Sequence, residues 1–404
     1  MKKKVGLIPS PDLPAKIINQ IVDQLKISFE SQVSSQIDWD IEVKVGIFVG
    51  AAEYVNEIMK QVIEVKETHG WDYAISITDL PNFSEKKAVI ADVSTTHHVG
   101  IISLPSFGAF PLKKRISKAI THIIELLYKH NEDNIEKEVT TRIDWRFLFS
   151  KVMRVEPEED AKTDIRFVLN SKIIGWLRIL SGMIFANRPW RAVGTFKKML
   201  TLAFATGIYI SIFSTPWQLS VSYTPKRFIA LMILSMLGMV IWTIFAHHLW
   251  EKPTSKSQSQ YRRLYNVTTV ITLFVITFIN YLVLFILFLL SISLFVPEGI
   301  FDAVINEGTD ESIENYLRLA WLTTSLSILV GAVGATVEKE EKIREVTYSY
   351  RQKNRYYEIE KQDENDEDAK TSYDGVQQSH KSRMNHDKIL SSRFNRITDR
   401  KSVV

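Results

Sequence analysis

Long apolar runs are confined to the second half of the chain, and this distribution constrains the fold more than any other feature. No segment long enough to cross a bilayer occurs before Lys198, and four such runs follow before Glu338. A hydrocarbon core about 30 Å thick requires roughly 20 mostly apolar helical residues. The runs therefore predict a multi-pass membrane protein with a large polar head, its spans at about 197–215, 228–249, 268–296 and 316–337.

Charges between the runs predict the orientation. The first span follows a basic pair, Lys197 and Lys198, and the loop after the second span is also basic. The loop after the third span is acidic and contains neither Lys nor Arg. Because Lys and Arg are enriched on the cytoplasmic side of membranes, we expect a cell-membrane protein with both termini in the cytoplasm. Lys226 and Arg227, in a loop predicted to lie outside, are the contrary signal.

The first 138 residues predict a cytoplasmic α/β domain. Apolar runs at 5–8 and 41–47 are each followed by apolar residues at helical spacing. Three more strand candidates, at 73–77, 88–93 and 99–104, precede a closing helix at 112–130. We expect the short link at 82–87 to pair the first two of these three strands antiparallel. The prediction is a mixed five-stranded sheet covered by helices.

Residues 139–196 are predicted to connect the head to the membrane. Segments 151–156 and 164–169 could form a hairpin, and 173–186 is an apolar helix that is short for a span. We expect this helix to lie on the cytoplasmic membrane face, although docking on the head is the alternative. Aromatic and cationic residues typical of membrane interfaces occur at Trp176, Arg178, Arg188, Trp190, Arg191 and Trp250.

Polar side chains concentrate in two loops of the head. The candidate ligand-binding residues are Thr78, Asp79, Asn82, Ser94, Thr95, Thr96, His97 and His98. Ligands of α/β sheets bind beyond strand ends, but the same residue types are also the usual turn and cap residues. His97 and His98 could bind a metal with His122 or Glu125, or could simply be solvated. With no cysteine in the chain, disulfides and thiolate chemistry are excluded, and the sequence leaves the cofactor unknown.

The strand region of the head resembles that of archaemetzincin-type zinc proteases. The resemblance rests on ITDL at 77–80, VIAD at 89–92 and GIISL at 100–104, and it implies a zincin-like fold. Those proteases carry HExxH on the next helix, where this chain reads THIIEL at 121–126. His122 matches the first histidine, whereas Ile123 and Leu126 occupy the positions of the general base and the second histidine. The resemblance therefore implies a zincin-like fold without protease chemistry.

A second resemblance covers more of the chain. TDLP at 78–81, SLP at 103–105, GMIFANRPWR at 182–191 and AHHLWE at 246–251 resemble an uncharacterised multi-pass membrane protein family of Gram-positive bacteria. Some of its members carry the label 5,10-methylenetetrahydrofolate dehydrogenase. A dinucleotide site favours a Gly-rich turn after the first strand, but this chain has PSPDLP at 9–14. We disfavour the dehydrogenase interpretation.

Small residues recur every fourth position in the first and last spans, a spacing that lets helices approach closely. They are Ala203, Gly207, Ser211, Ser327, Gly331 and Ala335, and could also mediate homo-oligomers. No Asp, Glu or Lys lies deep in a span, where Asn280 is the central polar residue. Buried ionisable groups are typical of coupled carriers. Their absence from the spans argues against a coupled carrier, while a pore remains an alternative.

The tail is predicted as a charged helix over 338–361, whose apolar stripe is that of a short coiled coil, followed by a disordered segment over 362–404. We do not expect it to bind nucleic acid. The sequence thus favours a non-enzymatic sensor, scaffold or accessory protein, in which the head binds an unknown ligand or protein and the spans anchor it in the lipid bilayer. The alternatives are a metal-dependent hydrolase or folate-linked dehydrogenase head, and a small channel or transporter.

Overall fold

The structure is a computed structural model, and it describes residues 1–46, 55–132, 151–157, 163–252, 259–305, 312–336, 338 and 340–344. The strands are β1 (Lys2–Pro9), β2 (Asp38–Val43), β3 (Tyr73–Thr78), β4 (Phe83–Ser84), β5 (Lys87–Ser94), β6 (Val99–Ser103), β7 (Val152–Val155) and β8 (Ile165–Leu169). The helices beside them are α1 (Leu13–Gln32), α2 (Val55–His69) and α3 (Leu112–Glu132).

These strands form one mixed sheet in the order β2-β1-β3-β6-β5-β8-β7, with β4 paired to β5. β2, β1, β3 and β6 run parallel, and β5, β8 and β7 are antiparallel to their neighbours. The mixed sheet is as predicted, but the predicted number of five strands was wrong, because the sheet has eight. The predicted hairpin forms as β7 and β8 and joins the sheet along β5, so the α/β head extends to Leu169.

The predicted pairing of β3 with β5 was also wrong. β6 lies between them, parallel to β3 and antiparallel to β5. The link between β3 and β5 is short, but it contains β4, which folds back onto β5 instead. The strand order therefore follows from burial of the apolar β6, whose five residues are all buried, rather than from link length.

Helices cover both faces of the sheet. A Cβ at Gly100 of β6 would lie 3.1 Å from the Ile123 side chain, so this glycine allows α3 to pack directly on the strand. The next residue, Ile101, faces the opposite side, as successive residues of a strand do. There it lines the same cavity as Ile58 of α2. Ile123 and Leu126, the positions where zincins carry catalytic residues, are both part of the buried core.

The described residues after β8 form helices and the short connections between them. The helices are α4 (Lys172–Asn187), α5 (Pro189–Ala192), α6 (Lys197–Ser211), α7 (Ser214–Ser222), α8 (Pro225–Ala246), α9 (Ser259–Phe295), α10 (Glu298–Ile305), α11 (Ser312–Ala335) and α12 (Glu340–Arg344). Within the described residues three of them, α8, α9 and α11, are long and apolar enough to cross a membrane. The bent pair formed by Lys172–Ser211 and Ser214–Ser222 would be a fourth. These helices indicate a multi-pass membrane protein.

The first predicted span, 197–215, is not one straight helix. α6 ends at Ser211, and the chain bends by 90° into α7. Pro216 lies in the first turn of α7, where proline is tolerated, but it could not continue α6 because it lacks an N–H and clashes with the preceding turn. The bend is held by Trp217, whose indole Nε1 donates to the Ser211 carbonyl at 2.7 Å.

The small residues of the first and last spans pack against each other within one chain. A Cβ on Gly207 would overlap the Phe288 ring and the Ser327 hydroxyl, and one on Gly331 would lie 2.9 Å from Ala203. All six small residues named above are buried. They are helix-packing faces, as predicted, and their role in homo-oligomers stays a prediction.

α4, the predicted interfacial helix, docks on the head and also contacts α9. A Cβ on Gly182 would overlap the Pro105 carbonyl, so the helix lies directly on the head. Trp176 packs against the head's core, whereas Trp190 and Trp250 are 50% and 56% exposed. Their place at a membrane interface stays a prediction. Of the predicted tail helix only α12 lies within the described residues, and the predicted disordered segment lies outside them.

Candidate functional site

Asp92, on β5, is the centre of the best-defined polar cluster in the described part of the head. It is 1% exposed and lies opposite Arg166 of β8 in the strand register. Arg166 Nε donates to Asp92 Oδ1 at 2.6 Å, and Asn82 Nδ2 donates to Asp92 Oδ2 at 2.9 Å. Arg166 Nη1 also donates to the Ser84 hydroxyl at 3.3 Å. Both carboxylate oxygens are therefore held by neighbouring strands and turns.

The electrostatics of Asp92 reflect two opposed effects. Burial raises the pKa of the carboxyl group, while the Arg166 charge and the hydrogen bonds from Arg166 and Asn82 lower it. A buried charge is tolerated only when it is paired and hydrogen-bonded, and this one has both forms of compensation. Burial outweighs the lowering effects, so the net pKa of Asp92 is raised, and the Arg166 guanidinium limits that rise.

A small cavity lies beside this cluster, near the carboxyl ends of β3 and β6. Its volume is about 20 Å³, about what one water molecule requires. Among its lining residues are the polar side chains of Thr78, Asn82, Asp92 and Ser103. The cavity brings two of the predicted ligand-binding residues, Thr78 and Asn82, next to an acidic residue that was not predicted.

The first predicted loop is held by turn hydrogen bonds. The Thr78 hydroxyl accepts from the Leu80 N–H at 3.1 Å, and Ser103 Oγ donates to the Leu80 carbonyl at 2.7 Å. Asp79 is buried, at 3% exposure. These contacts fit the alternative interpretation of Thr78, which was turn chemistry, while leaving its side chain on the cavity wall.

The second predicted loop, Ser94 to His98, lies at the other end of the same strands. It joins β5 to β6 next to Ala74, whereas Thr78 pairs with Ser103 at the far end. Four residues of strand separate the two ends, which is about 13 Å at 3.3 Å per residue. The eight predicted residues therefore do not form one site.

Thr95 and Thr96 are committed to Asp164, a residue that precedes β8. Asp164 Oδ2 accepts from the N–H and hydroxyl groups of both threonines, at 2.7 to 3.3 Å. Burial raises the pKa of Asp164, but these hydrogen bonds outweigh burial and the net pKa is lowered. The contacts join the β5–β6 turn to β8 and have a structural role.

The candidate metal ligands do not converge. His98 packs edge-on against Tyr73, with ring centroids 5.8 Å apart, while His122 packs against Phe167. His122 Nδ1 lies 3.8 Å from Glu125, which also binds Lys129. Burial lowers the pKa of His122, with Glu125 acting in the opposite direction. No group of three His, Cys, Asp or Glu that could hold a metal ion occurs among the described residues.

One contact links the cluster to the helical region. Phe83 follows Asn82, and its backbone N–H donates to the Tyr261 hydroxyl of α9 at 3.3 Å. The rings of Phe83 and Tyr261 also meet edge to face, with centroids 5.5 Å apart. Asn82 of the cluster is thus adjacent to a residue that directly contacts the longest helix of the described chain.

Asp92, Arg166 and Tyr261 were missed as site residues. A signal for the first two was present, since each is a lone charge inside an otherwise apolar strand, in VIADV and IRFVL. Neither strand reveals that the other is its neighbour. Comparison with protein-family models, curated proteins and solved structures finds no match to this chain.

Proposed function

We propose that this protein is a non-enzymatic sensor, scaffold or accessory protein of the cell membrane, with both termini and the α/β head in the cytoplasm. In this proposal the head binds a small polar ligand or a protein partner at the polar cluster around Asp92, where the water-sized cavity would have to open to admit it. The observation that carries the proposal is the contact with α9 made by Phe83, the residue next to Asn82 of the site; α9 also contains a candidate membrane span.

The route from the site to the membrane is short. Asn82 binds Asp92, and the adjacent Phe83 contacts Tyr261 near the start of α9. α9 then continues without interruption for 37 residues, about 55 Å at 1.5 Å per residue. A ligand that moves Asn82 would therefore act on a rigid element that extends into the membrane, which supports a sensing role over simple anchoring.

Contacts within the head support a non-enzymatic role. A general base must reach the proton that it abstracts, but both oxygens of Asp92 already accept hydrogen bonds from Arg166 and Asn82. The zincin positions Ile123 and Leu126 are core residues. His122 has Glu125 as its acidic neighbour, and a pair of ligands is fewer than the three that catalytic zinc sites use.

Identification of bound molecules on the full chain tests this proposal. Native mass spectrometry of protein purified in lipid nanodiscs should detect a retained small molecule or protein. Asn82→Ala should release it, because Asn82 lines the cavity, whereas Ser31→Ala on the exposed side of α1 should not. Stoichiometric zinc lost in His122→Ala, or a bound folate or nicotinamide, would instead favour the enzyme alternatives.

A second measurement separates a sensor from a passive scaffold. The chain has no cysteine, so Leu294→Cys, at the exposed far end of α9, gives a single site for a spin label. Addition of the molecule identified above should change the mobility of this label. Tyr261→Phe retains the ring but removes the hydroxyl, and we expect it to reduce the response. If the mobility of the label at position 294 does not change when Tyr261 is intact, that result would contradict the sensing role.

Asn280 supports a second candidate function, a small channel or transporter. It lies within α9, is fully buried, and neither atom of its amide has a hydrogen-bond partner among the described residues. Buried polar groups are nearly always satisfied, so such a group indicates a site for water, an ion or a polar solute. Solute flux in liposomes that Asn280→Leu abolishes would favour this function; flux unaffected by the substitution would oppose it.

A further inference from the structure

Three aromatic side chains form a row where the head meets the helical region. Phe110 precedes α3, Phe185 lies near the end of α4, and Trp190 lies in α5. Ring centroids are 5.2 Å apart between Phe110 and Phe185 and 5.3 Å apart between Phe185 and Trp190. Phe110 is 75% exposed, although it is large and apolar. We call these three residues the aromatic row.

The aromatic row lies level with the start of a candidate span. α4 runs beside α9 in the same direction, because Met183 contacts Thr268 and Asn187 donates to the Thr272 hydroxyl at 2.9 Å. Thr272 lies in the apolar part of α9, whose helix is a candidate span. Phe185 is two residues before Asn187, a difference of about 3 Å along the helix. Phe110, which touches Phe185, therefore lies near the expected membrane boundary.

The charge around the row has one sign. Lys113 and Lys114 are exposed in the first turn of α3, three and four residues after Phe110. There is no Asp or Glu in residues 104–124, or in residues 171–211, which contain the other two aromatic residues. Cations in the first turn oppose the helix dipole, so α3 gains nothing locally from these lysines. An anionic surface would compensate both the lysines and the helix end.

We propose that the head docks onto the phospholipid surface through this patch, with Phe110 inserted at the boundary between headgroups and acyl chains and with Lys113 and Lys114 on anionic headgroups. The bilayer is the occupant because the patch is continuous with the candidate spans and is cationic. Exposed aromatics flanked by Lys are the composition of membrane-interface anchors. Lipid contact would then act together with α4 and α9 in fixing the orientation of the head against the bilayer.

Depth-dependent fluorescence quenching on the full chain tests the insertion. A dye at Phe110→Cys in nanodiscs containing anionic lipid should be quenched by lipids that carry nitroxide groups at the headgroup or high on the acyl chain. The matched control is Ile173→Cys, which is equally apolar and 76% exposed. It lies 12 residues before Phe185 on α4, about 18 Å along the helix. Ile27→Cys on α1 gives the background for a distant part of the head.

The expected result is strong quenching at 110 and weak quenching at 173 and 27. Quenching at 110 no greater than at 27 would overturn the proposal and leave the patch to a protein partner. Equal, strong quenching at 110 and 173 would also overturn it, because the whole of α4 would then lie along the bilayer and the Phe110 loop would have no special role.

The charge requirement has its own test. Near an anionic surface each Lys contributes about 1 kcal/mol, or about fivefold in an equilibrium constant. Lys113→Gln with Lys114→Gln should therefore weaken quenching at 110 in anionic nanodiscs and leave it unchanged in neutral ones. Lys16→Gln with Lys60→Gln removes two exposed lysines from other helices of the head and should have no effect. Equal quenching in neutral and anionic nanodiscs would overturn the lysine assignment.

Discussion

At the scale of single residues, Asp92 and Arg166 form a buried ion pair in the head. Asp92 is 1% exposed and Arg166 is 17% exposed on its side chain. Desolvation of two charges costs several kcal/mol and is recovered only through good geometry. The pair therefore adds little net stability, but removing one partner leaves a buried charge with no counterion.

Arg166→Met should destabilise the head strongly for this reason. We expect a loss of about 3–5 kcal/mol, the usual cost of breaking a buried pair. The double variant Arg166→Met with Asp92→Asn should recover much of this loss because no charge remains. Melting temperatures of the full chain in nanodiscs, at one lipid composition, check both. A double variant that melts below the single one would contradict the argument.

Asp164 gives a pH-dependent prediction of defined sign. Its pKa is lowered in the folded protein, so its contribution is present above the unfolded value, near 3.8, and is lost as the pH falls through the folded pKa. Because Asp164 is partly exposed, we expect Asp164→Asn to cost roughly 1 kcal/mol at pH 7.

The comparison is between the melting temperatures of wild type and Asp164→Asn from pH 7 down to pH 3. The difference should be constant to about pH 5 and should shrink below pH 4 as the wild-type carboxylate is protonated. Asp38→Asn, at an exposed carboxylate on β2, serves as the control. A difference that grows on acidification would contradict the hydrogen-bonding argument.

At the scale of secondary-structure elements, packing in the helical region depends on contacts that a methyl group would block. Gly207 of α6 lies against Phe288 of α9 and Ser327 of α11. Gly207→Ala should therefore separate α6 from both helices and cost about 1–3 kcal/mol, as overpacking usually does. Gly299→Ala in α10 has open space around its Cβ and should be neutral or slightly stabilising, since it only reduces unfolded-state entropy.

Thermal unfolding of both variants in nanodiscs tests this difference. Equal melting temperatures for Gly207→Ala and Gly299→Ala would mean that α6 does not pack as described. A loss confined to Gly207→Ala would support the intrachain packing of the small residues.

Local periodicity predicted most elements, whereas their partners could not be predicted. Apolar spacing located α1, α2, β3, β5, β6 and the hairpin β7–β8 within a few residues. The strand order could not be derived, because β6 enters between β3 and β5 and the hairpin joins β5 from about 60 residues away. For the same reason the pairing of Asp92 with Arg166 could not be predicted, and ligand binding by Thr78 and Asn82 stays a prediction. Pro216 breaks the first predicted span. A proline at this position is a visible sequence signal for a helix break, but the prediction did not use it.

At the scale of the whole molecule, the head and the helices are parts of one compact unit, Met1–Arg351. α4 contacts the head at Pro105 and α9 at Thr268 and Thr272. α9 itself contacts β4 through Tyr261. The predicted picture of a head on a simple connector is thus incomplete, because two helices join the sheet to the spans.

The orientation of this unit in the membrane is the last prediction. The basic flanks favour a cytoplasmic head, against the contrary pair Lys226 and Arg227 at the start of α8. The guanidinium of Arg227 lies over the Tyr223 ring, 5.2 Å from its centroid, so this charge has a local partner at the membrane edge. Such a contact lets a cation remain on the outer side without a large cost.

Because the chain lacks cysteine, two single-cysteine variants can decide the orientation. Lys226→Cys should react with a membrane-impermeant maleimide on intact cells. Ile27→Cys, which is 65% exposed on the head, should react only after lysis. The reverse pattern would place the head outside the cell. That result would mean that the head cannot bind a cytoplasmic ligand. The contact between Phe83 and Tyr261 would be unaffected, so the head would still be coupled to the membrane helices.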